Sequence, residues 1–208
     1  MELRTAIRQR RAVRDFTAEP VLAADLRELI SAASWAPSAM NEQPWHFTVI
    51  TDAALLVEIS TRSKEWMLKS VAAMPRPGHF RDLLADPHFH IFYNAPALIV
   101  LSVPDDGQWS AEDGALAAQN LMLAALDQDL GTCWIGFAQG WLNTDAGHTV
   151  LGLPRQSRVV APIIVGHPKA TPPPVSRKAP LITWIGDIVG RDERESGAVA
   201  THSTLAHP

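Results

Sequence analysis

The stretch 111–131, "AEDGALAAQNLMLAALDQDLG", limits the possible folds more than any other part of the chain. From Ala115 to Leu126 it is apolar nearly all round, broken only by Gln119 and Asn120. A helix with so little polar face must be covered on most sides. The chain has 208 residues, so a second subunit is one attractive source of that cover. Ser110 stands where it can cap the helix start, and Gly131 where it can end it.

Around this helix the pattern is mixed. Residues 2–11 suit a short helix. Leu22, Leu26, Leu29, Ile30 and Ala33 recur at helical spacing, in a helix that must stop before Pro37. "WHFTVIT" (45–51) reads as a strand, and Asp52 can cap a helix that follows it. "MPRPGHF" reads as a loop. "ALIVLSV" (97–103) reads as a buried strand, and "CWIGF" (133–137) as a short strand or strand end. "RVVAPIIVG" (158–166) reads as a strand in which Pro162 suggests an edge or an irregularity. Without regular strand–helix alternation, the order predicts an α+β fold with a small sheet between helices. The three consecutive prolines of "HPKATPPPVSRKAP" (167–180) predict a stiff, extended arm. The polar stretch 191–208 predicts a loose tail, leaving 1–190 as one domain.

With 47% hydrophobic residues, the chain can bury a core without a disulfide or a metal. Its single cysteine, Cys133, suits a reducing compartment. The segment is apolar without adjacent cations, so an inert thiol outweighs a nucleophile. A net charge of −4 argues against bulk nucleic-acid binding. The longest apolar run is too short for a bilayer, and the N-terminus lacks the apolar core of a signal peptide. These features predict a cytoplasmic protein that binds neither nucleic acid nor membrane.

Against the acidic background, "RQRRAVRDF" (8–16) places four arginines in nine residues. If it continues the helix, Arg10 and Arg14 share a face, with Arg11 adjoining. Converging guanidiniums match a phosphate dianion, but a solvated helix end would look the same. "WAPSAMNEQPW" (35–45) sets polar residues between prolines and two tryptophans. It suits a planar polar ligand, or simply a rigid turn. His88 and His90 have no evident third ligand, so surface histidines outweigh a metal site. No dinucleotide fingerprint or phosphate-binding glycine loop is present.

Taken in order, "RRAVRDF", "APSAMNEQPWHF", "NAPALIVL", "AAQNLMLAALDQDLGTCWIGF" and "VAPIIVGHP…PPPVSRK" resemble the nitroreductase family of FMN-dependent oxidoreductases. The likeness runs from about residue 4 to residue 187. It implies a mixed sheet sandwiched by helices and an intertwined homodimer with FMN at the subunit interface. On this resemblance Arg10, with Arg11 close by, binds the FMN phosphate, and Arg14 reaches the flavin edge near N1 and O2. Pro37, Ser38, Ala39 and Asn41 line the flavin from the other subunit. Gly136 lies with its backbone near flavin N5, beside Ile135. Arg177, helped by Lys178, returns to the phosphate. Ala12 departs from the pattern, standing where many relatives carry a phosphate-binding serine.

The activity implied is ping-pong transfer of hydride from NAD(P)H to an electron-poor small molecule, a nitroaromatic or quinone. Gly136 and Arg14 tune the flavin, and no acid–base side chain is dedicated to the step. Alternatives on the same fold are dehydrogenation, dehalogenation, flavin cleavage or flavin binding without catalysis. Trp66 and Trp109 flank the expected pocket loops, and either could stack on a substrate.

Overall fold

The computed structural model describes residues 1–72 and 80–186. Most of the "MPRPGHF" loop and the stretch 191–208 lie outside the described residues. Met1–Pro174 is one compact unit, and a second begins at Val175. The described part of the second unit, 175–186, has no helix or strand.

The first unit is built on an antiparallel sheet of four strands, β1 (His46–Ile50), β2 (Ala97–Pro104), β3 (Gly131–Trp134) and β4 (Ser157–Gly166), in the order β1-β2-β4-β3. β2 and β4 are interior strands buried on both faces, which explains their continuous apolar sequences. Helices cover both sides. On one face lie α2 (Ala23–Ser34) and α5 (Ser110–Asp127). Leu29, Ala117 and Leu121 pack there against Ile99, Leu101 and Ile163. On the other lie α3 (Ala53–Ala72), α6 (Gly136–Leu142) and α7 (Asp145–Leu151). Ile59, Leu142 and Leu151 pack there against Leu98, Val100 and Ile164. Two short helices complete the unit, α1 (Leu3–Gln9) and α4 (Phe80–Ala85). The mixed helix-and-sheet layering is the α+β sandwich expected from the sequence.

Local chemistry explains several details. Asp52 caps α3, accepting from the Leu55 N–H at 2.9 Å. β4 is not an edge strand, yet it tolerates Pro162. Leu101 pairs with Ala161 and Ser102 with Val159, so Val160 is an extra residue and the ladder is irregular beside the proline. Val159 therefore faces one helical layer while Val160 and Ala161 both face the other.

α5 departs from expectation at both ends. Its N-cap is Trp109, with no side-chain cap, rather than Ser110. It stops at Asp127 instead of running to Gly131. Asp129 adopts a left-handed conformation (φ 56°), and the Leu130 N–H reaches back to the Ala125 carbonyl at 2.8 Å. Gly114 permits the close approach of α5 to the sheet, where a Cβ would stand 3.0 Å from Leu101 Cδ2. No helix among the described residues is long and apolar enough to cross a membrane.

Candidate functional site

The arginine cluster does not lie on one helix. α1 ends at Gln9, and Arg10 has extended geometry (φ −53°, ψ 130°). The chain then runs alongside β3. Ala12 forms a parallel bridge with Thr132, and the Val13 N–H donates to the Thr132 carbonyl at 2.9 Å. Gly131 makes this approach possible, because a Cβ there would sit 2.8 Å from Val13 Cγ2. Val13 and Phe16 anchor the segment in the core.

Arg10 and Arg11 line a groove of about 430 Å³ together with Gly131, Thr132 and Thr171. Arg11 Nη1 donates to the carbonyls of Arg8 (2.6 Å) and Arg10 (2.9 Å), satisfying the end of α1. Its Nε is buried with no hydrogen-bond partner. Arg14 lines a different cleft, of about 370 Å³, with Met67, Tyr93, Cys133, Ile135, Gly136 and Phe137. Its guanidinium carbon stands 5.9 Å from the centroid of the Tyr93 ring. The Cys133 thiol is pushed above its ordinary range by burial, opposed by the charges of Arg14 and Arg10. Cations do therefore adjoin Cys133, brought there by the fold, but burial outweighs them and holds the thiol protonated.

Ile135 is buried and fixed through its N–H to the Pro162 carbonyl at 2.8 Å. Gly136 opens α6, so the predicted strand over 133–137 ends earlier, at Trp134. A Cβ at Gly136 would meet nothing within 4 Å, so its backbone borders open space.

The loop after α2 is a third element. Pro37, Asn41 and Gln43 line an open cavity with Trp35. Ser38 Oγ accepts from the Gln43 N–H at 3.0 Å, and Met40, Asn41 and Gln43 all have positive φ near 50°. The buried carboxylate of Asp113 on α5 accepts from the Ala39 N–H at 3.0 Å and pins the loop. No residue from 35 to 43 lines the groove of Arg10 or the cleft of Arg14.

Arg177 and Lys178 are exposed and belong to the second unit. Trp66 is a packing residue: a Cβ at Gly140 would stand 2.1 Å from its ring, so that glycine seats α6 against α3. Met67, its neighbour, lines the Arg14 cleft instead. Trp109 is 54% exposed. No group of three potential metal ligands occurs among the described residues. Sequence reasoning missed Asp113, Tyr93, Met67 and Phe137. Only Asp113 carried a local signal, as a carboxylate in the first turn of an apolar helix.

Comparison with known proteins gives a consistent result. The chain is 30% identical to a nitrobenzene nitroreductase from Ectopseudomonas oleovorans, covering 77% of this chain and 84% of that protein. It is 28% identical to a protein described as an NADH dehydrogenase/NAD(P)H nitroreductase from Archaeoglobus fulgidus, covering 77% of this chain and 82% of that one. Its structure resembles that of a nitroreductase with bound FMN from Bacteroides fragilis, with a TM-score of 0.76 and 29% identity over 89% of this chain and all of that one. Residues 7–167, from the arginine segment through β4, match the nitroreductase family, and the chain belongs to that family.

Proposed function

We propose that the protein is an FMN-dependent oxidoreductase that takes hydride from NAD(P)H and reduces an electron-poor nitroaromatic or quinone in ping-pong order. The observation that carries this reading is the pair of cavities along β3. Gly131 and Thr132 line the first, beside Arg10 and Arg11, and Cys133 and Trp134 line the second, beside Arg14 and Gly136. One strand thus borders an anion-attracting groove and a cleft with an open glycine backbone, which suits a ligand with a charged end and a flat end. The unpartnered Nε of Arg11 and the free space at Gly136 both fit such a ligand. When bound, FMN supplies a ring that accepts and returns a hydride.

The chain's own residues bind, orient and tune. Arg10 supplies the principal charge for the phosphate, and Arg11 supports it while capping α1. Arg14 provides a cation at the edge of the ring that gains negative charge on reduction, which raises the cofactor's potential. The Gly136 backbone, placed by buried Ile135, faces the reacting position. By the family resemblance Arg177 and Lys178 stay candidates for further phosphate cations.

A second copy completes this reading. Trp35, Met40, Trp109 and Leu116 are large apolar side chains at least 46% exposed on the single chain. The loop 37–41 is separate from its own chain's Arg14 cleft, which supports a role for Pro37, Ser38, Ala39 and Asn41 at the partner's flavin.

The test is anaerobic mixing of the purified yellow protein with NADH or NADPH, then reoxidation by a panel of nitroaromatics and quinones. Arg10→Ala is expected to weaken FMN binding by about tenfold to a hundredfold. Arg14→Ala is expected to lower the flavin potential as well. A colourless protein that takes up no FMN would refute the reading.

A further inference from the structure

The turn that leads into β2 is built around an unusual residue. The Ala95 N–H bonds to the Phe92 carbonyl at 2.9 Å, and the two residues between them, Tyr93 and Asn94, have φ of 52° and 55°. Asn tolerates that region; for a bulky aromatic it is an outlier that the surroundings must impose.

Those surroundings are well fixed. Ile91 and Phe92 are fully buried, and the Ile91 N–H donates to the buried Ser60 hydroxyl at 3.1 Å. Lys64 Nζ donates to the carbonyls of Asp86 (2.5 Å) and Phe89 (2.7 Å). The Phe89 ring meets the Tyr93 ring edge-on, with centroids 5.6 Å apart. The ring so held lies under the Arg14 guanidinium and borders the cleft that Gly136 lines. A turn designed only to reverse the chain would favour glycine or asparagine at both central positions. A tyrosine there points to a use for its ring.

We propose that Tyr93 is a positioning residue: its ring face is the seat that holds the Arg14 guanidinium at the flavin edge, so that a flexible side chain becomes a fixed charge. This rests on the reading that Arg14 serves the flavin. A cation over an aromatic face keeps its charge while losing rotamer freedom, and a preorganised charge stabilises a reduced ring better than a mobile one. Burial raises the phenol above its ordinary range, against the charge of Arg14 and its hydrogen bond to the hydroxyl, so the ring stays neutral throughout the physiological range and meets the guanidinium with both its face and its oxygen.

The test compares Tyr93→Gly, Tyr93→Phe, Arg14→Ala and the Tyr93→Gly/Arg14→Ala double variant as FMN-loaded proteins. The readouts are the flavin midpoint potential and the ratio of affinities for reduced and oxidised FMN. Glycine relieves the backbone while deleting the ring, and a thermal melt of each variant checks that it is folded, with Tyr93→Phe as the variant that keeps the packing against Phe89. Tyr93→Gly is expected to reduce the affinity ratio roughly tenfold, in the same direction as Arg14→Ala. The double variant is expected to fall no further than Arg14→Ala alone, and Tyr93→Phe, which keeps the face and loses only the hydroxyl contact, to retain most of the wild-type ratio. If Arg14→Ala shifts the potential and Tyr93→Gly does not, the seat is wrong while the role of Arg14 stands. Full additivity, or a Tyr93→Phe shift equal to that of glycine, also overturns it. If Arg14→Ala leaves the potential unchanged, both assignments fall together.

Discussion

At the scale of single residues, His90 shows how the fold gives an ordinary side chain a pH dependence. Burial lowers its pKa below the usual imidazole value of 6.5, and the Lys64 charge adds to the effect. Its Nδ1 accepts from the Phe92 N–H at 3.2 Å, a bond only the unprotonated ring nitrogen can make. The unfolded chain therefore binds the proton first. The stability His90 contributes is complete above the unfolded pKa and is lost as pH falls through it toward the folded value. Melting temperatures measured from about pH 7.5 to about 5.5 should fall for the wild type. His90→Gln, which keeps an acceptor and cannot titrate, should show a shallower slope; identical slopes would remove His90 as the cause. The sequence shows His90 only as a surface histidine, because the packing that half-buries it and the charge of Lys64 on α3 come from elsewhere in the chain. Cys133 is the inert buried thiol expected from its segment, although the cations beside it, from the first fourteen residues of the chain, carry no signal in that segment.

At the scale of elements, legibility followed how local the decisive interaction was. The strands over 97–103 and 158–166 were plain because their burial is written into continuous apolar runs. The cap at Asp52 was plain because donor and acceptor are three residues apart. The end of α5 was not, because Asp129 adopts the left-handed turn expected of Gly131, which serves the approach of Val13 instead. Nor was the end of α1 before Arg10, after which Ala12 bridges to distant Thr132. The stretch 35–45 was legible as a connection between α2 and β1, but the Asp113 carboxylate that holds Ala39 lies on α5. Asp113→Ala should cost about 1.5–3 kcal/mol of stability by leaving the Ala39 N–H without its charged acceptor. Asp113→Asn, which retains an acceptor oxygen, should recover most of it. Urea melts would check the first effect, and FMN titration would show whether the loop reaches the cofactor. An alanine variant as stable as wild type would mean the contact contributes nothing.

At the scale of the whole molecule, the apolar helix is only partly covered by its own chain. Ala117, Ala118, Leu121 and Ala125 of α5 are fully buried in the single chain, while Leu116 remains 46% exposed. Leu116 lies one turn from Asp113, on the same side of the helix as the residue that pins the loop. Light scattering is expected to find a dimer, and Leu116→Glu to weaken association by about tenfold or more with parallel loss of FMN. A wild type that runs as a monomer with its flavin retained would refute the two-chain site.

The docking of residues 10–14 has another result. β3 is the terminal strand of the sheet, and a bare terminal strand offers unpaired backbone groups to any other chain that meets it. The bridge from Ala12 to Thr132 and the Val13 N–H occupy part of that margin, and three arginines flank the contact. On the proposed reading the same five residues would hold the cofactor's charged end and cover part of the sheet's open margin, so a substitution there that frees the margin is expected to raise aggregation as well as weaken FMN binding.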